Sequence, residues 1–188
     1  MPRTLDVILV IDVESTCWKE APPQGQVSDI IEVGLCTVDV GSLTRIEKRS
    51  LLVEPARSEV STFCTELTTI TAEMLTSAGT LSEAAGILKR DYQSKDRLWA
   101  SWGDYDRRQF ERVCRDLNVG YPFGPGHLNV KSLFAAAHGL AQEPGLSAAC
   151  QHVGQPMEGT YHRGDDDAWN IAGLLCGLLK SVRNSSPA

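Results

Sequence analysis

The sequence predicts a single α/β domain, for three reasons. The first third of the chain holds runs of β-branched and aliphatic residues typical of strands, and the remainder shows apolar residues at helical spacing. A chain of 188 residues with 42% hydrophobic content can bury a core of its own. No internal repeat or low-complexity linker divides the chain. We therefore predict one domain over residues 1–183 and a flexible polar tail over residues 184–188.

Three strands are predicted in the first third of the chain. Residues 5–11 form a nearly continuous aliphatic run, which is typical of a strand buried on both faces. Residues 30–40 and 50–53 are the next two candidates, and a turn-forming sequence at residues 39–42 lies between them. Because the three strands follow in close succession, we expect an antiparallel meander.

Helices and one further strand are predicted after residue 80. Thr80 is a suitable N-cap for a helix that includes residues 82–88. A short strand is predicted at residues 97–101, and a loop rich in Gly and Pro at residues 120–126. The remaining helices share apolar residues at helical spacing and are predicted at residues 104–117, 131–138, 146–153 and 165–182.

The composition disfavours several protein classes. No apolar run approaches the roughly 20 residues of a membrane span. The N-terminus lacks the features of a secretory signal, so we expect a cytoplasmic protein without membrane contact. The six cysteines are scattered, with no Cys-x-x-Cys pair, which predicts reduced and mostly buried thiols rather than a zinc site or a disulfide framework.

The net charge of −6 argues only weakly against a nucleic-acid substrate. An enzyme that holds divalent cations carries a local surplus of carboxylates, and the bound cations reverse that local field. Basic residues must then cluster elsewhere. One such stretch, which is either a substrate contact or a solvated helix face, contains Arg107, Arg108, Arg112 and Arg115.

Acidic residues follow two of the predicted strands. Asp12 and Glu14 come directly after the first strand, and both carboxylates emerge together because side chains two residues apart share a face. A bound cation would neutralise their repulsion, although both acids could simply face solvent. Asp104 and Asp106 follow the strand at residues 97–101, where an acid can equally serve as a helix cap.

Two further polar clusters are present. His162 precedes the acids Asp165, Asp166 and Asp167, which open the last predicted helix; acids favour the helix dipole there, but this explanation does not require the histidine. A weaker cluster at residues 63–68 has the composition of a turn or a helix cap. If the acids converge at one sheet edge, they could hold two Mg²⁺ or Mn²⁺ ions about 3.5–4 Å apart, an arrangement that cleaves phosphodiesters.

At these positions the sequence resembles the DEDD superfamily of exonucleases. Residues 12–17, Asp-Val-Glu-Ser-Thr-Cys, are similar to the first motif of the Eri-type exoribonucleases. Residues 103–106 resemble the second motif, and in that alignment the ligand is Asp106 rather than Asp104. Residues 162–168 resemble the third motif, His-x-x-x-x-Asp, which defines the histidine-bearing DEDDh branch.

The resemblance extends over nearly the whole chain. Residues 64–71 and 127–134 are also Eri-like. One departure is Asp165, where relatives more often place an apolar residue. The resemblance implies a ribonuclease H-like fold, which is a mixed five-stranded sheet with helices on both faces.

The resemblance also implies an activity. The ligands of two Mg²⁺ or Mn²⁺ ions would be Asp12, Glu14, Asp106 and Asp167, and His162 would take a proton from the attacking water. The implied reaction is 3′→5′ exonucleolytic release of nucleoside 5′-monophosphates from single-stranded nucleic acid, with RNA favoured.

The implied substrate contacts lie near the same motifs. Glu14, Ser15 and Thr16 would hold the terminal 3′-hydroxyl, close to His162. The candidates for packing on the last base or sugar are Glu66, Leu67, Thr68 and Trp102. Core packing is the alternative for Trp102. Arg163 is either a contact to a backbone phosphate or a plain surface arginine.

Two alternatives remain open from the sequence. The chain could process DNA ends rather than RNA, because a fold does not determine its substrate. It could also be a catalytically silent domain that binds nucleic acid or protein, although all four acids and the histidine of the motifs are present. The sequence predicts neither an oligomeric state nor a particular RNA.

Overall fold

Five strands and seven helices occupy residues 4–185, the part of the chain that the computed structural model describes. The strands are β1 (Thr4–Ser15), β2 (Ile30–Asp39), β3 (Thr44–Leu52), β4 (Arg97–Ser101) and β5 (His127–Asn129). The helices are α1 (Thr62–Thr68), α2 (Ala72–Leu75), α3 (Leu81–Asp91), α4 (Tyr105–Asp116), α5 (Val130–Ala137), α6 (Leu146–Val153) and α7 (Gly164–Asn184).

The strands form one sheet with the order β3-β2-β1-β4-β5. The first three strands pair antiparallel, which confirms the predicted meander, whereas β1 pairs parallel with β4 and β4 pairs parallel with β5. The predicted mixed five-stranded sheet is therefore confirmed. Because β1, β4 and β5 run in the same direction, their carboxyl ends lie at one edge of the sheet, where α/β proteins commonly bind ligands.

Helices cover both faces of the sheet, which explains the continuous aliphatic run in β1. Ile8 and Val10 belong to a core formed with α5, α6 and α7. Leu9 and Ile11 point to the opposite face and pack against α3 and α4. The prediction of helices on both faces is confirmed. Five of the six cysteines are buried, Cys17 is half-buried, and all six are free thiols.

The structure differs from the predictions in weakly patterned segments. β3 begins at Thr44 rather than at residue 50, because it is an edge strand whose exposed charged residues, such as Glu47, hide the apolar pattern. α1 and α2 occupy the region in which the sequence shows a polar cluster. Each is a short helix with a capping side chain, Ser61 for α1 and Thr71 for α2, and too few residues to show a helical period.

The end of the chain differs slightly from the predicted tail. α7 continues through Asn184, and Ser185 is its C-cap. The prediction for residues 186–188 lies outside the described residues.

The N-terminus of α7 lies directly on β2 at Gly34. A Cβ atom at position 34 would come within 1.8 Å of the carbonyl carbon of Gly164, so this contact between backbones requires glycine. Asp12 of β1 pairs with Gly34 in the sheet, and the contact therefore brings the first turn of α7 beside Asp12. α7 has 21 residues, yet among residues 4–185 no helix combines the length and apolar character needed to cross a membrane.

Candidate active site

The acids and the histidine of the three motifs line one cleft at the carboxyl edge of the parallel strands. The cleft has a volume of about 280 Å³, and its walls include Asp12, Glu14, Asp106, His162 and Asp167. β1 presents Asp12 and Glu14, whereas the first turns of α4 and α7 supply Asp106 and Asp167. The structure thus brings together side chains from the two ends and the middle of the chain.

The two acids of the second motif have different environments. Asp106 is buried, and its Oδ1 accepts a hydrogen bond from the backbone N–H of Val13 at 3.0 Å, which ties α4 to β1. Asp104 is half-buried at the N-terminus of α4 and forms an ion pair with Arg107 at 3.1 Å, without capping the helix. Only Asp106 of this pair lines the cleft, so the geometry favours Asp106 over Asp104 as the ligand.

His162 is held beside Asp167 by its own backbone. Its φ of 63° lies in the left-handed region, which is uncommon for a residue other than glycine, and its N–H donates to Asp167 Oδ2 at 3.0 Å. The imidazole packs on the ring of Tyr161 with 4.0 Å between centroids. Burial lowers the pKa of His162, so the imidazole is neutral at physiological pH and able to accept a proton.

Burial and mutual repulsion oppose ionisation of the carboxylates. Burial raises the pKa of Glu14 to about 9, and the charge of Asp167 adds to this effect. Burial also raises the pKa of Asp167 to about 7 and the pKa of Asp106 to about 6. For Asp12, burial and then the charges of Asp106 and Glu14 raise the pKa well above its usual value. Four such acids need positive charge in the cleft to be ionised together at neutral pH.

The donor set of the cleft fits a divalent cation. Glu14, His162 and Asp167 each offer one ligand atom, and these atoms lie within 4.8 Å of one another. Asp167 Oδ1 is buried and has no hydrogen-bond partner within residues 4–185, as expected for an oxygen that a cation would satisfy. Carboxylate oxygens are the ligands preferred by hard cations such as Mg²⁺ and Mn²⁺.

Comparison with known proteins identifies the family. Residues 9–175 match the RNase_T family, which is described as Exonuclease. The chain belongs to this exonuclease family. Members of the DEDDh type within it use divalent metal ions, in agreement with the donor set of the cleft.

Individual relatives agree with the family assignment. The chain is 23% identical over 195 residues to the 3'-5' exonuclease Snipper of Drosophila melanogaster, covering 92% of this chain and 69% of that protein. It is 26% identical over 188 residues to human 3'-5' exoribonuclease 1, covering 93% of this chain but only 53% of the relative. The predicted resemblance to Eri-type exoribonucleases is confirmed, although the chain spans about half the length of the human relative.

A solved structure confirms the predicted ribonuclease H-like fold. The nuclease domain of 3'hExo, described as a DEDDh family member bound to rAMP, superposes with a TM-score of 0.85 at 23% sequence identity. The likeness covers 96% of this chain and 95% of that domain. At this identity the comparison shows the shared fold alone, and the roles of individual residues rest on the geometry of the cleft.

Ser15 and Thr16, which follow Glu14, do not line the cleft. The Ser15 hydroxyl accepts a hydrogen bond from Gln109 Nε2 at 2.9 Å, and the Thr16 hydroxyl accepts one from the backbone N–H of Asp29 at 2.8 Å. The Thr16 N–H also donates to the Asp29 carbonyl at 2.8 Å. These groups hold the segment after β1 in place, so Glu14 is the member of the predicted trio that faces the cleft.

The predicted base and sugar contacts are divided by the structure. Thr68 is fully buried, and its hydroxyl donates to the Cys64 carbonyl, while Glu66 and Leu67 are exposed on α1 outside the cleft wall. Trp102 does line the cleft, with its indole N–H donating to the Pro144 carbonyl at 3.2 Å. Of these four candidates, Trp102 alone lies beside the carboxylates.

Arg163 is engaged in an ion pair within the protein. Its guanidinium forms an ion pair with Glu32 of β2, with Nη2 at 2.9 Å from Oε1. Glu32 is completely buried, and its Oε2 also accepts a hydrogen bond from the backbone N–H of Gly164 at 2.8 Å. This pair holds the start of α7 on β2 and thereby positions His162 and Asp167.

Removing the positive charge of Arg163 is expected to destabilise the protein. Arg163→Met would leave Glu32 buried without its charged partner, and we expect the free energy of unfolding to fall by about 3 kcal/mol. Urea denaturation measures this change, and the double variant Glu32→Gln with Arg163→Met should be less destabilised than the single one. Arg90→Met, which removes an exposed pair with Asp91, is the control and should change stability little.

The structure adds cleft residues that the motifs did not suggest. Tyr105 and Tyr161 line the cleft and are 57% and 45% exposed. Their rings are therefore accessible for stacking. Tyr105 lies inside the second motif, so its position was visible in the sequence. Leu146, at the start of α6, also lines the cleft, and no sequence signal identifies it.

Proposed function

We propose that this chain is a metal-dependent 3′→5′ exonuclease that releases nucleoside 5′-monophosphates from the 3′ end of single-stranded nucleic acid, preferably RNA. The observation that carries the proposal is the convergence of four carboxylates and His162 in one cleft, with a buried Asp167 oxygen that lacks a partner among the described residues. Unneutralised acids in a partly buried cleft cost stability, so their presence favours a role in binding cations and substrate.

Each residue of the cleft has a proposed role. Asp12, Glu14 and Asp167 would hold one Mg²⁺ or Mn²⁺ ion, and Asp12 would reach a second ion with Asp106 beside it. When bound, such cations stabilise the negative charge of the reacting phosphate. The neutral imidazole of His162 would accept the proton of the attacking water. Breaking the bond between phosphorus and the 3′ oxygen leaves a 5′-monophosphate and a new 3′-hydroxyl end.

Aromatic residues around the cleft support a single-stranded substrate. Trp102, Tyr105 and Tyr161 could stack on unpaired bases, and stacking of this kind accepts any base. The human relative is named an exoribonuclease, which favours RNA, whereas the Drosophila relative is named an exonuclease, which leaves DNA open. A cytoplasmic location remains a prediction from the sequence.

Digestion of matched single-stranded RNA and DNA, each labelled at the 5′ end, tests this function. We expect a ladder that shortens from the 3′ end with Mg²⁺ or Mn²⁺ and no cleavage with EDTA, because the acids need cations to be ionised and to bind a phosphate. RNA should be degraded faster. Chromatography of the products should identify nucleoside 5′-monophosphates.

Other results would change the proposal in specific ways. Faster digestion of DNA would assign the chain to DNA ends, and substrates that differ only in the 2′-hydroxyl provide the matched comparison. If the folded protein cleaved neither polymer in the presence of metal, the chain would be a nucleic-acid-binding or protein-binding domain that retains the exonuclease fold.

A further inference from the structure

Most cations of this acidic protein are already engaged. Within residues 4–185, arginines and lysines pair with acids or donate to backbone carbonyls and side-chain hydroxyls. The basic stretch of α4 follows the same pattern, since Arg107, Arg112 and Arg115 have acidic partners. The lysine and arginine side chains in this range that have no hydrogen bond or ion pair are those of Lys19, Arg108, Lys131 and Lys180.

Lys131 lies beside the cleft. β4 and β5 are parallel neighbours with Ser101 opposite Asn129, so the segments that follow these two strands emerge side by side. The Lys131 side chain extends over Gly103, where an added Cβ atom would be 3.6 Å from Lys131 Cδ. Trp102, which precedes Gly103, is part of the cleft wall. A half-buried cation without a partner therefore borders the carboxylate site.

Lys131 lacks an anionic partner at a position in its helix where a positive charge is unfavourable. It is the second residue of α5, and the first turn of this helix contains no acidic residue. A cation near the positive end of a helix dipole is unfavourable, whereas an anion in the same place is favourable. The Glu143 carboxylate near this turn accepts a hydrogen bond from the Ser132 hydroxyl and forms no ion pair with Lys131. A phosphate bound to Lys131 would offset the unfavourable position of its charge.

The charge around the cleft also indicates the direction in which a bound strand leaves. On the β2 side, α1 packs against the end of β1, and its sequence contains the exposed Glu66 but no lysine or arginine. On the β4 and β5 side the strand would meet Trp102, Gly103 and then Lys131. The acid on the second route, Asp104, is paired with Arg107 at 3.1 Å. This route therefore offers a phosphate the unpaired cation of Lys131, whereas the first route presents the exposed carboxylate of Glu66.

We propose that Lys131 binds the backbone phosphate on the 5′ side of the scissile phosphate, as the strand leaves the cleft across Trp102 and Gly103. This inference rests on the proposed exonuclease function. The contact holds the strand by its backbone, so it acts equally on every base sequence and contributes to KM rather than to the chemical step.

The test is the binding of a fluorescent ten-nucleotide RNA by the His162→Ala protein with Mg²⁺ present, with and without Lys131→Gln. We expect Lys131→Gln to raise Kd about 5-fold for any sequence and to reduce the slope of log K against log salt by about 0.7, since one phosphate contact is lost. Lys131→Arg should restore most of the affinity. A dinucleotide, whose one internucleotide phosphate is the scissile one, should bind all variants equally.

Lys180→Gln is the matched control. It removes the same charge from α7 about 20 Å along the helix from Asp167, given the rise of 1.5 Å per residue, and it should leave Kd and the salt slope unchanged. An unchanged Kd for Lys131→Gln would overturn the inference, as would an equal loss for the dinucleotide, which would place Lys131 on the scissile phosphate. Because the wild-type protein is assayed for cleavage separately, cleavage without a Lys131 effect refutes this inference alone, and absence of both cleavage and binding refutes the proposed function.

Discussion

Asp12→Asn is expected to lower the rate of nucleotide release by at least about 10³-fold, because the proposed two-metal site would lose the ligand that both ions would share. Asp12 lies at the centre of the cleft, where its pKa is raised by burial and by the charges of Asp106 and Glu14. Its ionised form is therefore present only when cations compensate the negative charge, and an asparagine cannot supply the charge that retains them.

The same substitution is expected to stabilise the metal-free protein. Since the raised pKa values mean that the folded state holds protons that the unfolded chain releases, the free energy of unfolding in EDTA decreases as the pH rises from about 4 towards about 9. An asparagine removes one of the repelling acids. We expect the Tm at pH 8 in EDTA to rise by several °C, since about 1 kcal/mol shifts the Tm of a domain of this size by about 2–4 °C.

Thermal unfolding at pH 5 and pH 8, with EDTA or Mg²⁺, measures this effect. The stabilisation should be largest at pH 8 in EDTA and small at pH 5, where the acids of both proteins are largely protonated. Asp104→Asn is the matched control, because Asp104 belongs to the same motif but lies outside the cleft wall. If Asp12→Asn destabilised the metal-free protein at pH 8, the mutual repulsion inferred for the carboxylates would be wrong.

His162→Ala is expected to reduce the single-turnover rate by about 10²- to 10⁴-fold, the usual contribution of a general base. The substitution leaves the four carboxylates in place, so the variant should still bind Mg²⁺ and RNA. Because burial lowers the pKa of His162, the wild-type rate should fall only below about pH 6.5, as the imidazole becomes protonated. The variant should lack this component of the pH dependence.

His152→Ala provides a histidine control, since His152 lies on α6 outside the cleft wall and should have no effect on the rate. If His162→Ala retained more than about a tenth of the activity, the loss would be smaller than that expected for a general base. That role would then be excluded. Loss of RNA binding in the variant would instead assign His162 mainly to the substrate or metal site. Measuring binding and single-turnover cleavage on the same preparation separates these two results.

Local sequence patterns predicted much of the fold and the chemistry of the cleft. The aliphatic run before Asp12 and Glu14 predicts a buried strand with two acids at its end, and this depends only on the alternation of side chains along a strand. The acids that open α7 are visible for a similar reason, as is His162 at a fixed distance from Asp167. The resemblance of these motifs to Eri-type exoribonucleases then implied the sheet and the activity class.

Short or polar elements were not predictable in this way. β5 has three residues, and α1 and α2 are short, so none of them contains a full hydrophobic period. β3 is an exposed edge strand, where charged residues are favoured because they prevent pairing with other chains. The two strands are defined only by their pairing in the sheet, and the two short helices only by their capping side chains.

Short motifs in the sequence predict which side chains can do the chemistry, because the residues within each motif lie only a few positions apart. Which of these side chains face the cleft, and which are engaged elsewhere, depends on contacts between distant parts of the chain. Arg163 is paired with Glu32, which comes from β2, far away in the sequence, and Thr16 is bound to Asp29. Lys131 is brought beside Trp102 by the pairing of β4 with β5. Such contacts depend on strand order and register, which residues distant in the chain specify together.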